Sequence, residues 1–129
     1  MTGPERRRAS SGSPWEPVLG FSRAVRVGDR VLVAGTGPVW PDGSCDPDPQ
    51  VQAERCLEII AAALADLGAG LGDVVRTRML LTDADHAPAA GRAHAAAFGA
   101  APPAATVVIV GLLDPRWKIE IEAEAVVDS

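Results

Sequence analysis

Near the end of the chain glutamates recur at every second position, in Lys118-Ile119-Glu120-Ile121-Glu122-Ala123-Glu124. On an extended strand that spacing sends Ile119, Ile121, Ala123 and Ala125 to one side and Lys118, Glu120, Glu122 and Glu124 to the other. A carboxylate row of this kind is either a solvated sheet face or, where something covers it, a source of groups that can orient a water molecule or take its proton. The second chemically capable pair is Arg92 and His94. They stand two residues apart, about 200° around a helix, so a regular helix cannot send both into one pocket. His94 shares a side with Gly91 and Phe98, which favours packing; at a cleft edge its imidazole would serve as an acid or base near neutral pH. Arg76 and Arg78 read first as partners for the glutamates across a sheet, on one face with Val74 and Leu80. Cys45 and Cys56 lack CxxC or metal-ligand spacing, only His86 and His94 could join them, and nothing near Cys45 in sequence would activate its thiol. Gly35-Thr36-Gly37-Pro38 is followed by no GK[ST] and is not a phosphate loop. No metal or cofactor is expected.

The elements that must position these residues follow from periodicity and punctuation. Residues 22–27 and 30–34 are β-rich and flank Gly28-Asp29, which predicts a hairpin. The stretch 34–48 is a Gly/Pro loop. Asp48 and Pro49 form an N-cap and first-turn pair, and Cys56, Ile60, Ala63, Leu64 and Leu67 recur at helical spacing up to a stop at Gly68. A strand follows over Val74–Leu81, then an Ala-rich helix capped by Asp83 or Asp85 and ending at Phe98-Gly99, then strands over 107–110 and 117–127. The order ββ-α-β-α-ββ predicts an α+β domain with two helices on one face of a mixed sheet. The stretches 31–33, 79–81 and 107–110 are apolar without alternation, the mark of strands covered on both faces. Two helices cannot cover two faces, so a further subunit is expected over the second.

Length and composition set the outer limits. The chain has 129 residues, 47% of them apolar, which suits one globular domain. Residues 1–14 are rich in Ser, Gly, Pro and Arg and are expected to form a flexible tail; residues 15–129 form the domain. With a net charge of −5 and a pI near 4.9 the chain is a poor nucleic-acid binder, because phosphate contacts need a basic face. No apolar run approaches the roughly 18 residues of a membrane span, and the basic N-terminal stretch lacks the apolar core of a secretory signal. Two unpaired cysteines fit a cytoplasmic location.

Several segments taken in order, "GFSRAVRVGDRVLVAGTGP", "CLEIIAAALADLGAGLGDVVRTRMLLTD", "AHAAAFG", "PAAT" and "KIEIEAEAVV", resemble the Rid family, also called YjgF/YER057c/UK114, over residues 20–127. The resemblance implies a chorismate-mutase-like α+β fold and a homotrimer whose sheets form a central β-barrel. It also implies a small-molecule ligand bound in clefts between subunits, and hydrolysis of reactive imines and enamines to 2-oxo acids and ammonia without a cofactor. Carried over residue by residue, it implies Glu120 at the catalytic water. Phe21 then stands at a position that is usually Tyr, Gly35 and Thr36 at the pocket turn, Arg92 at a helix position that is often Asn, and Val107 on the ligand-lining strand. Ala105 stands where the family's carboxylate-clamping arginine belongs. A charge-assisted bidentate pair contributes about 1.5–3 kcal/mol, so its loss predicts an enzyme other than a standard 2-iminopropanoate deaminase. Arg23, Arg76, Arg78 and Arg92 are the residues that could compensate. Of the tryptophans, Trp40 follows the pocket turn and is the best placed to touch a ligand. A non-catalytic binding trimer and a specialised biosynthetic enzyme stand beside the hydrolase reading. The ribonuclease label attached to some members sits poorly with the acidic pI.

Overall fold

A computed structural model describes residues 5–128. Six strands form one mixed sheet: β1 (Arg6–Ala9), β2 (Ala24–Val27), β3 (Arg30–Thr36), β4 (Val74–Leu81), β5 (Ala104–Ile109) and β6 (Ile119–Val126). Their order is β1-β2-β3-β6-β4-β5. All neighbours are antiparallel except β4 and β5, whose parallel pairing needs the crossover through α3 (Ala87–Phe98). The hairpin turn falls at Gly28, with φ of 60°, a conformation that costs glycine no steric clash.

Helix α2 (Pro49–Asp66) begins as its sequence dictates. The Asp48 carboxylate accepts from the backbone N–H groups of Gln50 and Val51, Pro49 occupies the first turn, and Gly68 follows the end with φ of 78°. Cys56, Ile60 and Leu64 of α2 and Ala90, Ala93 and Phe98 of α3 enter one core with Ile119, Ile121, Ala123 and Ala125 of β6. The alternation in the last strand therefore resolves as predicted, with the isoleucine side under both helices and the glutamate side away from them.

Two expectations are corrected. Residues 1–4 of the expected tail lie outside the described residues, but Arg6–Ala9 forms a strand paired with β2, and a short helix α1 (Trp15–Leu19) follows. Arg-Arg-Arg-Ala has no β-branched or aromatic residue to favour a strand, yet the open edge of β2 supplies backbone partners that override propensity. Val74 does not share a face with Arg76 and Arg78. A bulge between Val74 and Arg76 turns it into the core, at 4% exposure. In the single chain Leu32, on the glutamate side, is 44% exposed, and Val107 and Ile109, in register with Met79 and Leu81 on the edge strand, are 46% and 55% exposed.

Candidate functional site

The glutamate row separates into two environments. Arg78 stands opposite Glu122 in the register of β4 and β6, with Nη1 2.7 Å from Oε1, and Arg30 Nη2 lies 3.3 Å from Glu124 Oε2. Glu120 faces Leu80 and has no salt-bridge partner among the described residues. It is half-buried on the floor of a cleft of about 940 Å³, at the end of the sheet where β3 leaves and β6 enters. Burial pushes its carboxyl above the ordinary range; the Arg23 guanidinium pulls down and Glu122 pushes further up.

Close packing at this floor explains the two glycines of the Gly35-Thr36-Gly37 turn. A Cβ at Gly35 would collide with Glu120 Oε1, and one at Gly37 would come within 2.8 Å of the Trp117 indole. Each glycine leaves the space that a cleft side chain occupies. The turn is held from below by Arg23, which is 3% exposed. Its Nη1 donates to the Gly35 carbonyl and, over 3.0 Å, to Thr36 Oγ1; its Nε lies 3.5 Å from Glu16 Oε2. Glu16 is itself buried. Burial alone would raise its carboxyl, but donors from Ser11 and Ser10 and the Arg23 charge hold it below the ordinary range. Thr36 Oγ1 also donates to the Ala34 carbonyl, so its hydroxyl is spent within the protein.

Aromatic side chains line the rest. The chain has three tryptophans and all of them border the cleft. Trp15 and Trp117 meet edge to face at 6.4 Å between centroids. Arg55 covers one face of Trp40 at 4.3 Å, and Arg23 lies 5.2 Å over Phe21. Trp117 Nε1 is the buried side-chain donor left without a partner among the described residues.

Of the residues singled out in the sequence, Phe21, Gly35, Thr36 and Glu120 meet at this cleft, and Arg92, His94, Ala105 and Val107 do not border it. The second group gathers near the opposite edge of the sheet. Ala105 and Val107 lie beside Thr77 and Met79 in the parallel register, and His94 Nε2 is 2.8 Å from Thr77 Oγ1. His94 also packs on Phe98 at 4.7 Å, and burial lowers its pKa, so the imidazole is a packed neutral group. Arg92 Nε donates to Gln50 Oε1 over 2.8 Å. Ala105 lies in register with Thr77 and Ala123, exposed on the edge strand but on the sheet face that carries the core, whereas Glu120 points to the other face. At strand spacings of about 4.8 Å, Ala105 is also about 10 Å across the sheet and about 10 Å along it from Glu120. Residue 105 and Glu120 of one chain therefore cannot hold one small molecule. Neither thiol is activated, since burial raises both Cys45 and Cys56.

Sequence reasoning missed Glu16, Ser10 and Ser11, which lie in or beside the expected tail, and it gave Arg23 no position. The available signal was the paired spacing of Gly35 and Gly37, a pattern that marks close approach of other side chains to a backbone.

Comparison with known proteins agrees with this fold. The profile of the family described as "Endoribonuclease L-PSP" matches residues 12–127. An uncharacterized protein of Streptomyces coelicolor is 40% identical over 97% of this chain and 95% of its own length. The 2-iminobutanoate/2-iminopropanoate deaminase of Salmonella typhimurium is 33% identical over 82% of this chain and 86% of its own. A crystal structure from Mycobacterium tuberculosis, described as a member of the highly conserved YjgF/YER057c/UK114 family, superposes with a TM-score of 0.87 at 42% identity, covering 95% of this chain and all of that one. Among the described residues no helix is long and apolar enough to cross a membrane.

Proposed function

The chain belongs to the Rid family (YjgF/YER057c/UK114), and on that premise we propose that it is a hydrolase of reactive imines or enamines, working without a cofactor in clefts between the subunits of a homotrimer. The observation that carries this reading is Glu120, a half-buried carboxylate on a cleft floor with no salt-bridge partner and a raised pKa. A carboxylate in that state takes a proton near neutral pH more readily than a solvated one. It accepts a proton from water as the oxygen bonds to the C=N carbon, and the π pair moves to nitrogen, which is protonated. Collapse of the carbinolamine then returns a C=O bond and releases ammonia or an amine.

Two departures set it apart from the deaminase activity named for the Salmonella relative. Ala105 supplies no guanidinium for a substrate carboxylate, and Phe21 supplies no phenol. The homotrimer with a central barrel is supported by the exposed apolar residues Leu32, Val107 and Ile109. It is supported also by the separation of residue 105 from Glu120, which only a second copy can bridge. In that assembly Arg92, His94, Ala105 and Val107 of one subunit border the Glu120 cleft of the next. The free cysteines fit a cytoplasmic enzyme. The test is ammonia release from freshly generated imines: turnover above buffer that is lost in Glu120→Ala supports the reading, and no turnover for any imine refutes it. The missing clamp and phenol favour one second reading, a non-catalytic binding trimer. Its signature is a thermal shift with small ligands and no turnover.

A further inference from the structure

We propose that the cleft takes an apolar, ring-bearing imine or enamine that carries no carboxylate, in preference to the imine of a 2-oxo acid. This rests on the hydrolase reading above and names its substrate class. Three observations carry it.

The first is the charge ledger of the cleft wall. Three arginines border it, and each already has a carboxylate. Arg23 pairs with Glu16 at 3.5 Å, Arg55 with Glu58 at 3.6 Å, and Arg116 with Asp114 at 2.8 Å. Glu120 borders the same cleft with no cation paired to it among the described residues, and Asp42 adds a second carboxylate answered only by donors from Ser44 and its own backbone. Three arginines in the lining stand against Asp42, Asp114 and Glu120, so the wall offers an incoming carboxylate no unpaired cation, whereas Glu120 can face a protonated C=N nitrogen. The half that a neighbouring copy would bring does not reverse this balance. It has a methyl group at residue 105, Arg78 on the adjoining strand is paired with Glu122, and Arg92 donates to Gln50.

The second is size and lining. The cleft measures about 940 Å³ in the single chain, before a neighbouring copy takes its share, and a three-carbon imino acid would cover little of its wall. Phe21, Trp15, Trp40 and Trp117 stand around it, with Val18 and Ile59 between them. Such a wall gains free energy by covering an apolar ring.

The third is the arrangement of the polar floor. Glu120 is the floor's unpaired acceptor, while the Gly35 carbonyl and the Thr36 hydroxyl are already bonded to Arg23. An electrophilic C=N with its water fits beside Glu120, and the remainder of the substrate faces indole. Water's oxygen bonds to the imine carbon, the C=N π pair goes to nitrogen, and the products are an apolar aldehyde or ketone and ammonia.

The experiment uses two imines that differ by one carboxylate, each generated in the assay. The imine of phenylacetaldehyde comes from 2-phenylethylamine and an amine oxidase, and that of phenylpyruvate from phenylalanine and an amino-acid oxidase. The expected kcat/KM is at least about tenfold higher for the carboxylate-free imine, a difference of about 1.4 kcal/mol. A binding arm keeps the substrate class testable apart from catalysis. Because all three tryptophans border the cleft, their fluorescence reports occupancy by phenylacetone and by phenylpyruvate. Tighter binding of phenylacetone is expected. Equal or tighter binding of phenylpyruvate, or equal or faster hydrolysis of its imine, overturns the proposal. Tighter phenylacetone binding with neither imine hydrolysed counts against the hydrolase reading and supports the ligand class.

Discussion

Glu122 and Glu120 are the same residue on the same side of one strand, two positions apart, and they live in different chemistry. Glu122 faces Arg78 across the sheet and forms a half-exposed ion pair, whereas Glu120 faces Leu80 and turns to an aromatic cleft. What separates them lies on the neighbouring strand. The run Arg76-Thr77-Arg78-Met79-Leu80 supplies a cation opposite Glu124, another opposite Glu122, and then a leucine opposite Glu120. A periodic carboxylate row thus becomes a structural ladder where its partners are basic and leaves an unpaired carboxylate where they stop being basic.

The sharpest way to break that contrast is to neutralise each carboxylate in turn. Glu120→Gln keeps shape and removes the proton acceptor, and imine hydrolysis is expected to fall by about a hundredfold or more. Residual activity within about threefold of the parent in an ammonia-release assay would place the reactive group elsewhere. A gain rather than a loss is expected from Ala105→Arg. A restored guanidinium raises kcat/KM for 2-iminopropanoate by about tenfold to a hundredfold, and no gain would mean that residue 105 of a second copy does not reach the Glu120 cleft. Gly35→Ala forces the Glu120 carboxylate to move, and a fall of about tenfold in kcat with nearly unchanged KM is expected. Unchanged kinetics would show that the floor has slack.

Stability against pH distinguishes the two carboxylates further. The folded pKa of Glu120 is raised, so the folded state holds its proton more tightly than the unfolded chain does. That contribution is fully present below the ordinary glutamate pKa and is lost as pH rises through the raised folded value. Denaturant titrations from pH 4 to pH 8 should therefore show the parent losing stability, relative to Glu120→Gln, as pH rises; parallel curves would contradict the burial argument. The smallest effect belongs to Glu122→Gln. Half-exposed pairs contribute about 0–1 kcal/mol, and activity should stay within about twofold of the parent.

The architecture was largely written in the sequence because its signals are local. Asp48-Pro49 starts α2 and Gly68 ends it, Gly28 marks the hairpin, and the isoleucines at 119 and 121 fix which side of β6 meets the helices. The candidate site was legible in part. Glu120 could be singled out by family resemblance, but its difference from Glu122 depends on the register between β4 and β6, which is a non-local quantity. The separation of Ala105 from Glu120 likewise follows from the order β6-β4-β5, which no stretch of sequence contains. The Ser- and Arg-rich opening misled for a related reason. Its composition has no internal drive to order, and β1 forms because β2 offers an edge.

That first strand has a practical side. Behind it, Ser10 and Ser11 donate three hydrogen bonds to Glu16, and Glu16 in turn balances Arg23 beneath the Gly35 turn. A protein shortened to begin at Trp15 would keep Glu120, both cleft glycines and all three indoles. It would also strand a buried carboxylate without its hydroxyl donors and loosen the turn against which Glu120 rests. N-terminal trimming past Ser10 is therefore an experimental variable of the site itself.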